Sequence, residues 1–188
     1  METSDRLTEA LVADDLDFYI GRIIDSADHR NLSFERIAVE PISLLVSIDH
    51  PLAGQDGLTL ADCLHYDWVM QPRGNLMRAT VDAYLRECNL PLPEHFVGTT
   101  LTLFSIALVH DTKAIAPVAR AVAEFFVARY ALMSRLTPLS IPVDIRVSDF
   151  GVVARAWEKP SPATQRVLNL IRQRAREMFG ASGRQSER

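Results

Sequence analysis

The sequence predicts an α/β protein made of two lobes, with mainly parallel sheets. Along the chain, segments with helical periodicity alternate with short runs of β-branched and aromatic residues, as is typical of α/β folds. Two longer extended segments, residues 42–48 and 145–154, each lie between blocks of these alternating elements. They are therefore candidates for a pair of strands that cross between the lobes. The length of 188 residues, 48% of them apolar and 23% charged, suits a globular protein of one or two lobes.

The first quarter of the chain predicts a helix followed by three extended segments. Residues 5–15 carry apolar residues on one helical face, and residues 16–21 form an apolar, strand-like run. After a polar loop, residues 34–40 and 42–48 are rich in β-branched residues. Because proline lacks the N–H that a central strand needs, Pro41 separates them into two predicted strands.

The middle of the chain predicts two further pairs of helix and strand. Thr59 can cap a short helix over residues 59–64, because Asp62 follows three residues later, and residues 68–70 form a short buried strand. A helix over residues 75–88 has an apolar stripe and ends before two prolines, and residues 95–98 then predict a strand.

The last part predicts helix 102–110, strand 114–116, helix 118–130 and strand 145–154, again from alternating periodicity. The closing helix has Ser161 as its N-cap and a proline at its first position, which is a common arrangement at helix starts. Its predicted buried face consists of Val167, Leu170, Ile171, Ala175 and Met178. The polar tail 180–188 is predicted to be disordered.

Charge and cysteine content exclude several classes of protein. The net charge is −4 and the pI about 5.7, so the chain lacks the basic field that attracts a phosphate backbone, and direct DNA binding is disfavoured. Cys63 and Cys88 show no metal-ligand spacing, and both are expected to be reduced core residues. Without a signal peptide or an apolar run of bilayer length, a cytoplasmic protein is expected.

The search for catalytic chemistry finds no nucleophile motif, metal-binding motif or phosphate loop, so no enzyme, metal or cofactor is predicted. Carboxylate pairs such as Asp14 with Asp15 and Asp25 with Asp28 fall in polar turns, where solvated charge is expected. The arginines of the last helix predict a solvated face rather than a nucleic-acid surface. The histidines are scattered, and surface or turn positions are expected for them: His29, His50, His65, His95 and His110.

Several stretches also occur in an informative order. RLTEALVADDLDFYIGR joins a leucine-containing helix, an acidic turn and an apolar strand, and ERIAVEPISLLVSIDHPLA is an apolar strand ending in His-Pro-Leu-Ala. TLADCLHYDWVM, GNLMRATVDAYLRECNL, LFSIALVHDTKAIAPVAR, FGVVAR and SPATQRVLNLIRQRARE follow. In this order and spacing, the chain resembles the effector-binding domain of LysR-type transcriptional regulators over nearly its whole length.

The resemblance implies two Rossmann-like lobes joined by two crossing strands, a fold like that of type 2 periplasmic binding proteins, with an effector cleft between the lobes. Residues 1–46 with 153–179 would form lobe one, and residues 47–152 would form lobe two. Family members begin with a winged helix-turn-helix, a linker helix and the first strand and helix of lobe one. Since the sequence starts after these, lobe one is expected to be incomplete, and DNA to be bound only through a helix-turn-helix missing here.

Two helix openings are the candidates for effector binding. Free N–H groups, hydroxyls and a guanidinium there would converge on a carboxylate, which predicts an organic anion as the effector. The candidate residues are Arg73, Gly74 and Asn75 before one helix, Thr99, Thr100 and Thr102 at the start of the next, and Ser47 near the hinge. A second interpretation stays open, in which Asn75 and Thr100 or Thr102 only cap their helices.

The sequence therefore predicts an effector-sensing regulatory domain, expected to be a homo-oligomer, that binds a small anionic metabolite. The first alternative is a free-standing solute-binding protein of the same fold, which the lack of a signal peptide disfavours. The second is an enzyme on a similar scaffold, which the lack of a catalytic constellation disfavours.

Overall fold

A computed structural model describes residues 4–22, 31–129, 135–142 and 144–179 of the chain. The polar loop with Asp25, Asp28 and His29 and the predicted tail 180–188 lie outside the described residues. The elements are, in order, α1 Ser4–Val12, β1 Phe18–Gly21, β2 Leu32–Ser47, α2 Leu60–Cys63, β3 Trp68–Met70, α3 Leu76–Glu87, β4 Phe96–Gly98, α4 Thr102–Asp111, β5 Ala116–Ala119, α5 Arg120–Arg129, β6 Leu136–Pro138, β7 Arg146–Arg155 and α6 Pro162–Phe179.

The chain divides into two compact units. Unit 1 comprises Met1–Val39 and Ser148–Arg188, and unit 2 comprises Glu40–Val147. Both chain crossings between the units lie inside the long strands β2 and β7. The lobe boundaries expected from the sequence, 46/47 and 152/153, fall in the same two strands but several residues further along the chain. The division into lobes itself stays a prediction.

The sheet pairings are mixed rather than mainly parallel. β1 pairs antiparallel with β7, and β2 pairs antiparallel with β5 and with β6. β3 and β4 are parallel, and Trp68 forms a parallel bridge with Ile115, just before β5. The expectation of mainly parallel sheets was wrong because it rested on the alternation of helices and strands. This alternation does not reveal that β7 pairs antiparallel with β1, or β2 with β5 and β6.

Two further corrections concern the bounds of strands. A single strand, β2, passes through Pro41 instead of breaking there. Ile42, the next residue, directs its N–H to the carbonyl of Ile145 and pairs with Ala119, the last residue of β5. The backbone nitrogen of Pro41 therefore faces the side of β2 on which β5 lies, but at a level beyond the last residue of β5. No strand there needs a hydrogen bond from residue 41, so a proline is tolerated. Val118, predicted as helical, lies in β5 and pairs with Ser43 of β2, so α5 begins only at Arg120.

Unit 2 has helices on both faces of its parallel strands. Trp68 belongs to the same hydrophobic cluster as Leu85 of α3, whereas its neighbour Val69 clusters with Ile106 of α4. Successive residues of a strand point to opposite faces, so α3 and α4 cover opposite sides of β3. This arrangement leaves the loops at the ends of the strands to carry any site, as in other α/β folds.

Unit 1 is held by a small core and by one buried arginine. Leu11 of α1, Tyr19 of β1 and Val153 of β7 form its buried cluster. Arg155, at the end of β7, donates from Nη1 to the carbonyls of Leu11 and Leu16, both at 2.7 Å. The predicted cap of α6 is confirmed, because the Ser161 hydroxyl accepts the Thr164 N–H at 3.1 Å. Among the described residues, no helix is long and apolar enough to cross a membrane.

Candidate functional site

The loops that follow β3 and β4 lie side by side in unit 2. The two strands are parallel and in register, with Met70 opposite Gly98. Thr99, the first residue after β4, donates its N–H to the Met70 carbonyl at 2.9 Å. Because the carboxyl ends of neighbouring parallel strands meet at one edge of a sheet, both predicted helix openings are brought to the same edge.

The loop before α3 is shaped by a glycine and closed by a helix cap. Gly74 has φ +90°, a left-handed conformation that glycine adopts without strain. The Asn75 side chain accepts the N–H of Met77 at 2.9 Å, so it serves as the N-cap of α3. Arg73 is exposed in this loop. Asn75 therefore caps α3, and the Arg73 guanidinium is accessible to a ligand.

The loop before α4 does not fit the capping interpretation of its threonines. The N-cap position is occupied by Leu101, and no side chain caps the helix. The Thr99 hydroxyl accepts the Leu101 N–H at 3.1 Å, while Thr100 and Thr102 are exposed. Neither Thr100 nor Thr102 is thus the cap. The first turn of α4 presents backbone N–H groups beside two exposed hydroxyls, a set of donors suited to an anion.

Ser47 lies in β2, in a different sheet from β3 and β4, near the end of β5 that is opposite the two loops. β5 follows the parallel bridge to β3, so its carboxyl end shares the edge of the two loops. β2 runs antiparallel to β5 and pairs Leu45 with Ala116, where β5 begins. Ser47 continues past that point and pairs with Leu136 of β6. The structure therefore does not bring Ser47 together with the other predicted residues, and its buried hydroxyl accepts the N–H of Asp49 at 3.4 Å.

A buried ion pair near the α3 opening was missed by the sequence interpretation. Arg78, in the first turn of α3, donates from Nε to Asp82 at 2.7 Å, and the Arg78 side chain is only 1% exposed. The Arg78 Cζ lies 4.3 Å from the centre of the Phe96 ring on β4. A signal existed in the sequence, because an arginine and an aspartate four residues apart flank Val81 on the face predicted to be buried.

A separate cavity of about 450 Å³ opens at the opposite ends of β3 and β4. Its apolar wall includes Val69, Val97 and Leu108, and its polar residues include Asp67 and Glu94. None of the predicted effector-binding residues lines this cavity. Its carboxylates disfavour an organic anion, so the cavity does not extend the predicted site.

Two titratable groups outside the predicted site, His50 and Cys63, are buried and have shifted pKa values. His50 is buried, with Nδ1 accepting the Leu52 N–H at 3.1 Å and Nε2 at 3.1 Å from the Lys113 carbonyl. Burial lowers the pKa of His50 below its usual value. Burial likewise raises the pKa of the Cys63 thiol to about 12, while Cys88, expected in the core, is exposed. Within the described ranges, no group of three or more histidine, cysteine or acidic residues is arranged to hold a metal.

Comparisons with known proteins agree on one family. The family model described as LysR substrate binding domain matches residues 1–176. The HTH-type transcriptional regulator GbpR of Rhizobium radiobacter is 37% identical over 134 residues, which cover 71% of this chain and 44% of that protein. The chain thus spans less than half the length of this curated relative.

Two solved structures with bound ligands share the fold. The BenM effector binding domain with its effector benzoate is 16% identical, with a TM-score of 0.69, and the match covers 97% of this chain and 78% of that one. The effector binding domain of QuiR in complex with shikimate is 15% identical, with a TM-score of 0.65, covering 94% and 79% of the two chains. The expected α/β fold of LysR effector-binding domains is thereby confirmed.

Proposed function

Because this chain belongs to the LysR family and is an effector-binding domain of a transcriptional regulator, not an enzyme, we propose that it binds a small organic anion at the loops after β3 and β4. The residues proposed to contact the anion are Arg73, Gly74 and Asn75 before α3, with Thr99, Thr100 and Thr102 at the start of α4. Ser47 has no place in this proposal, since it pairs with β6 beyond the end of β5 that is opposite the two loops.

The observation that carries the proposal is the convergence of two helix N-termini at one sheet edge. Each helix N-terminus favours a nearby negative charge by about 0.3–1 kcal/mol. No side chain caps the start of α4, so no capping side chain accepts a hydrogen bond from the first N–H groups of this helix. The exposed Arg73 supplies a positive charge that can form a charge-assisted bond with a carboxylate.

The ligands of the two structural relatives support an anion of this kind. Benzoate and shikimate, named with the BenM and QuiR structures, are both carboxylates. A carboxylate presents two acceptor oxygens, which match the N–H, hydroxyl and guanidinium donors of the two loops. We propose a carboxylate metabolite for this chain on the same chemical grounds.

The regulatory role follows from differential binding. An effector changes a regulator only by binding one conformation more tightly than another, typically with ~1–3 kcal/mol of coupling. We propose that the DNA-reading part of the regulator lies outside residues 1–176 and that the working regulator is a homo-oligomer. Light scattering of the chain and of the whole regulator tests the assembly.

The test of the anion site is calorimetry with benzoate, shikimate and a panel of mono- and dicarboxylates, each beside its primary amide. Arg73→Ala should weaken the tightest carboxylate at least tenfold, because a hydrogen bond to a charged group is worth about 1.5–3 kcal/mol. Arg86→Ala is the matched control, since Arg86 is exposed at the other end of α3.

Thr100→Val should also weaken binding while leaving the melting temperature unchanged, because Thr100 is not a cap. Binding of no carboxylate by the wild-type protein would contradict the proposed ligand class. Unchanged affinity in both Arg73→Ala and Thr100→Val would remove these loops from the site.

A further inference from the structure

The cavity at the amino-terminal ends of β3 and β4 differs in chemistry from the predicted anion site. Its volume of about 450 Å³ falls within the range of roughly 300–1,000 Å³ that is typical of small-molecule sites. Its described lining residues all belong to unit 2. The predicted anion site lies at the carboxyl ends of the same two strands, so the cavity is a separate place for a ligand.

The apolar wall of the cavity is formed by the two strands and by α4. Val69 and Val97 are opposite each other in β3 and β4, so their side chains lie on the same face of the sheet. Val69 shares a hydrophobic cluster with Ile106 of α4, which identifies this face as the one that α4 covers. Val97 is 46% exposed and Leu108 of α4 is only partly buried. Apolar surface is therefore left here for a ligand to cover.

Two carboxylates line the same cavity. Asp67 directly precedes β3, and Glu94 lies two residues before β4. Because Asp67 lies two residues before Val69, it is on the face that α4 covers. Both acidic residues are exposed, and neither carboxylate has a hydrogen bond or ion pair with another residue that the structure describes. Both carboxylates are thus available to a positively charged ligand.

Backbone hydrogen bonds fix the start of the two strands. Trp68 donates its N–H to the His95 carbonyl at 3.1 Å, and Ile115 donates its N–H to the Asp67 carbonyl at 2.9 Å. The main chain that carries Asp67 is therefore held from both sides. Such preorganisation reduces the entropy that a ligand must overcome on binding.

Helix α4 brings its negative end to the cavity. Leu108, in its last turn, and Thr112, its C-cap, are both lining residues. The carboxyl end of a helix carries a partial negative charge that favours a nearby cation. The last turn holds no lysine or arginine, and His110 there is paired with Asp111 at 2.6 Å. The helix end therefore adds to the negative potential of the two carboxylates.

Little positive charge opposes this potential. No lysine or arginine is among the described residues that line the cavity, and His95 is positive only when protonated. Lys113 is exposed and is not a lining residue. Arg78 contacts the Phe96 ring from α3, but its charge is paired with Asp82 at 2.7 Å. The cavity therefore combines a net negative charge with an apolar wall.

We propose that this cavity binds a small organic ammonium ion that has an apolar body. The carboxylates of Asp67 and Glu94 accept hydrogen bonds from the ammonium group, which has three N–H donors. Val69, Val97 and Leu108 pack against the apolar body. This second site does not depend on the proposed anion site, because the two take ligands of opposite charge at opposite ends of β3 and β4.

The test is calorimetry on the full chain with three probes that share one apolar body: 2-phenylethylamine, 2-phenylethanol and phenylacetate. At neutral pH these are a cation, a neutral molecule and an anion. We expect the amine to bind at least tenfold more tightly than the alcohol, because charge-assisted hydrogen bonds are roughly twice as strong as neutral ones. Phenylacetate should not compete with the amine.

The double variant Asp67→Asn/Glu94→Gln identifies the groups that select the cation. It should weaken the amine at least tenfold and leave the alcohol unchanged. The matched control is Asp56→Asn/Glu87→Gln, which removes the same charge from exposed residues of unit 2 that do not line the cavity. This control separates contact with the ammonium group from the general field of the protein.

A second pair of variants tests the position of the ligand. Val97→Lys places a positive charge at the cavity, whereas Val97→Met adds a side chain of similar length without charge. Since Val97 is on the edge strand β4 and half exposed, both variants should fold. The amine should bind to Val97→Met and not to Val97→Lys.

Three outcomes would overturn the proposal. The first is that the wild type binds no amine at millimolar concentration or binds the alcohol equally well. The second is that the double variant Asp67→Asn/Glu94→Gln binds the amine as tightly as its control. The third is that the chain binds no amine but self-associates through these carboxylates, which would indicate a lysine side chain of a second copy as the occupant.

Discussion

Replacing Arg155 by methionine should destabilise unit 1 by about 3–5 kcal/mol, because it leaves buried acceptors without a donor. The two bonds from Nη1 to the carbonyls of Leu11 and Leu16, both 2.7 Å, set this magnitude. Each charge-assisted bond contributes about 1.5–3 kcal/mol. The contacts with Asp14 and Glu158 add little, because these carboxylates are 80% and 49% exposed and screened by water.

Urea unfolding monitored by circular dichroism measures the loss of stability in Arg155→Met, and hydrogen exchange of residues 7–21 reports where it occurs. Faster exchange should concentrate in α1 and β1, which Arg155 connects to the end of β7. Arg166→Met is the matched control, because Arg166 is exposed on α6 of the same unit and should change stability by less than about 0.5 kcal/mol. If the free energy of unfolding of Arg155→Met lies within ~1 kcal/mol of that of Arg166→Met, the reasoning is refuted.

Three further predictions concern pH, packing and capping. Since burial lowers the pKa of His50, the unfolded chain binds a proton at this residue more readily than the folded chain. The free energy of unfolding should therefore be highest above about pH 6.5 and fall as the pH drops, by at most about 1.4 kcal/mol per pH unit. Urea unfolding of His50→Gln should lack this pH dependence. Gly151→Ala would bring a Cβ within 2.2 Å of the Glu35 carbonyl and should lower the melting temperature strongly, whereas Gly98→Ala, whose nearest neighbour is 3.9 Å away, should fold normally. Asn75→Ala should cost about 1 kcal/mol through the lost cap of α3, and Asn75→Asp should restore it; equal urea midpoints for both variants would argue against the cap.

Local patterns in the sequence predict most elements well. The Ser161 start of α6 and the Asn75 start of α3 both follow from the sequence, because capping depends on residues within one turn of each other. The order and spacing of short stretches along the chain likewise indicate the family. Such signals are readable in the sequence because each needs only neighbours along the chain.

Patterns of burial were less reliable. Val167, Leu170 and Met178 of α6 were expected to be buried, yet they are 47%, 63% and 58% exposed. The helix buries Thr164 and Leu168 instead. An apolar stripe shows which residues share a helical face, but the surfaces available for packing decide which face is covered.

The sequence by itself determined the α/β class, the start of the closing helix and the family resemblance, and it predicted an anion site at two loops. The tertiary structure decided which of those groups meet. It put Ser47 beyond the opposite end of β5 from the two loops, carried β2 through Pro41 and buried Arg78 beneath Phe96. The physical reason is that capping and periodicity act over three or four residues, whereas strand register, the direction of a neighbouring strand and the burial of a charge depend on residues far apart in the chain.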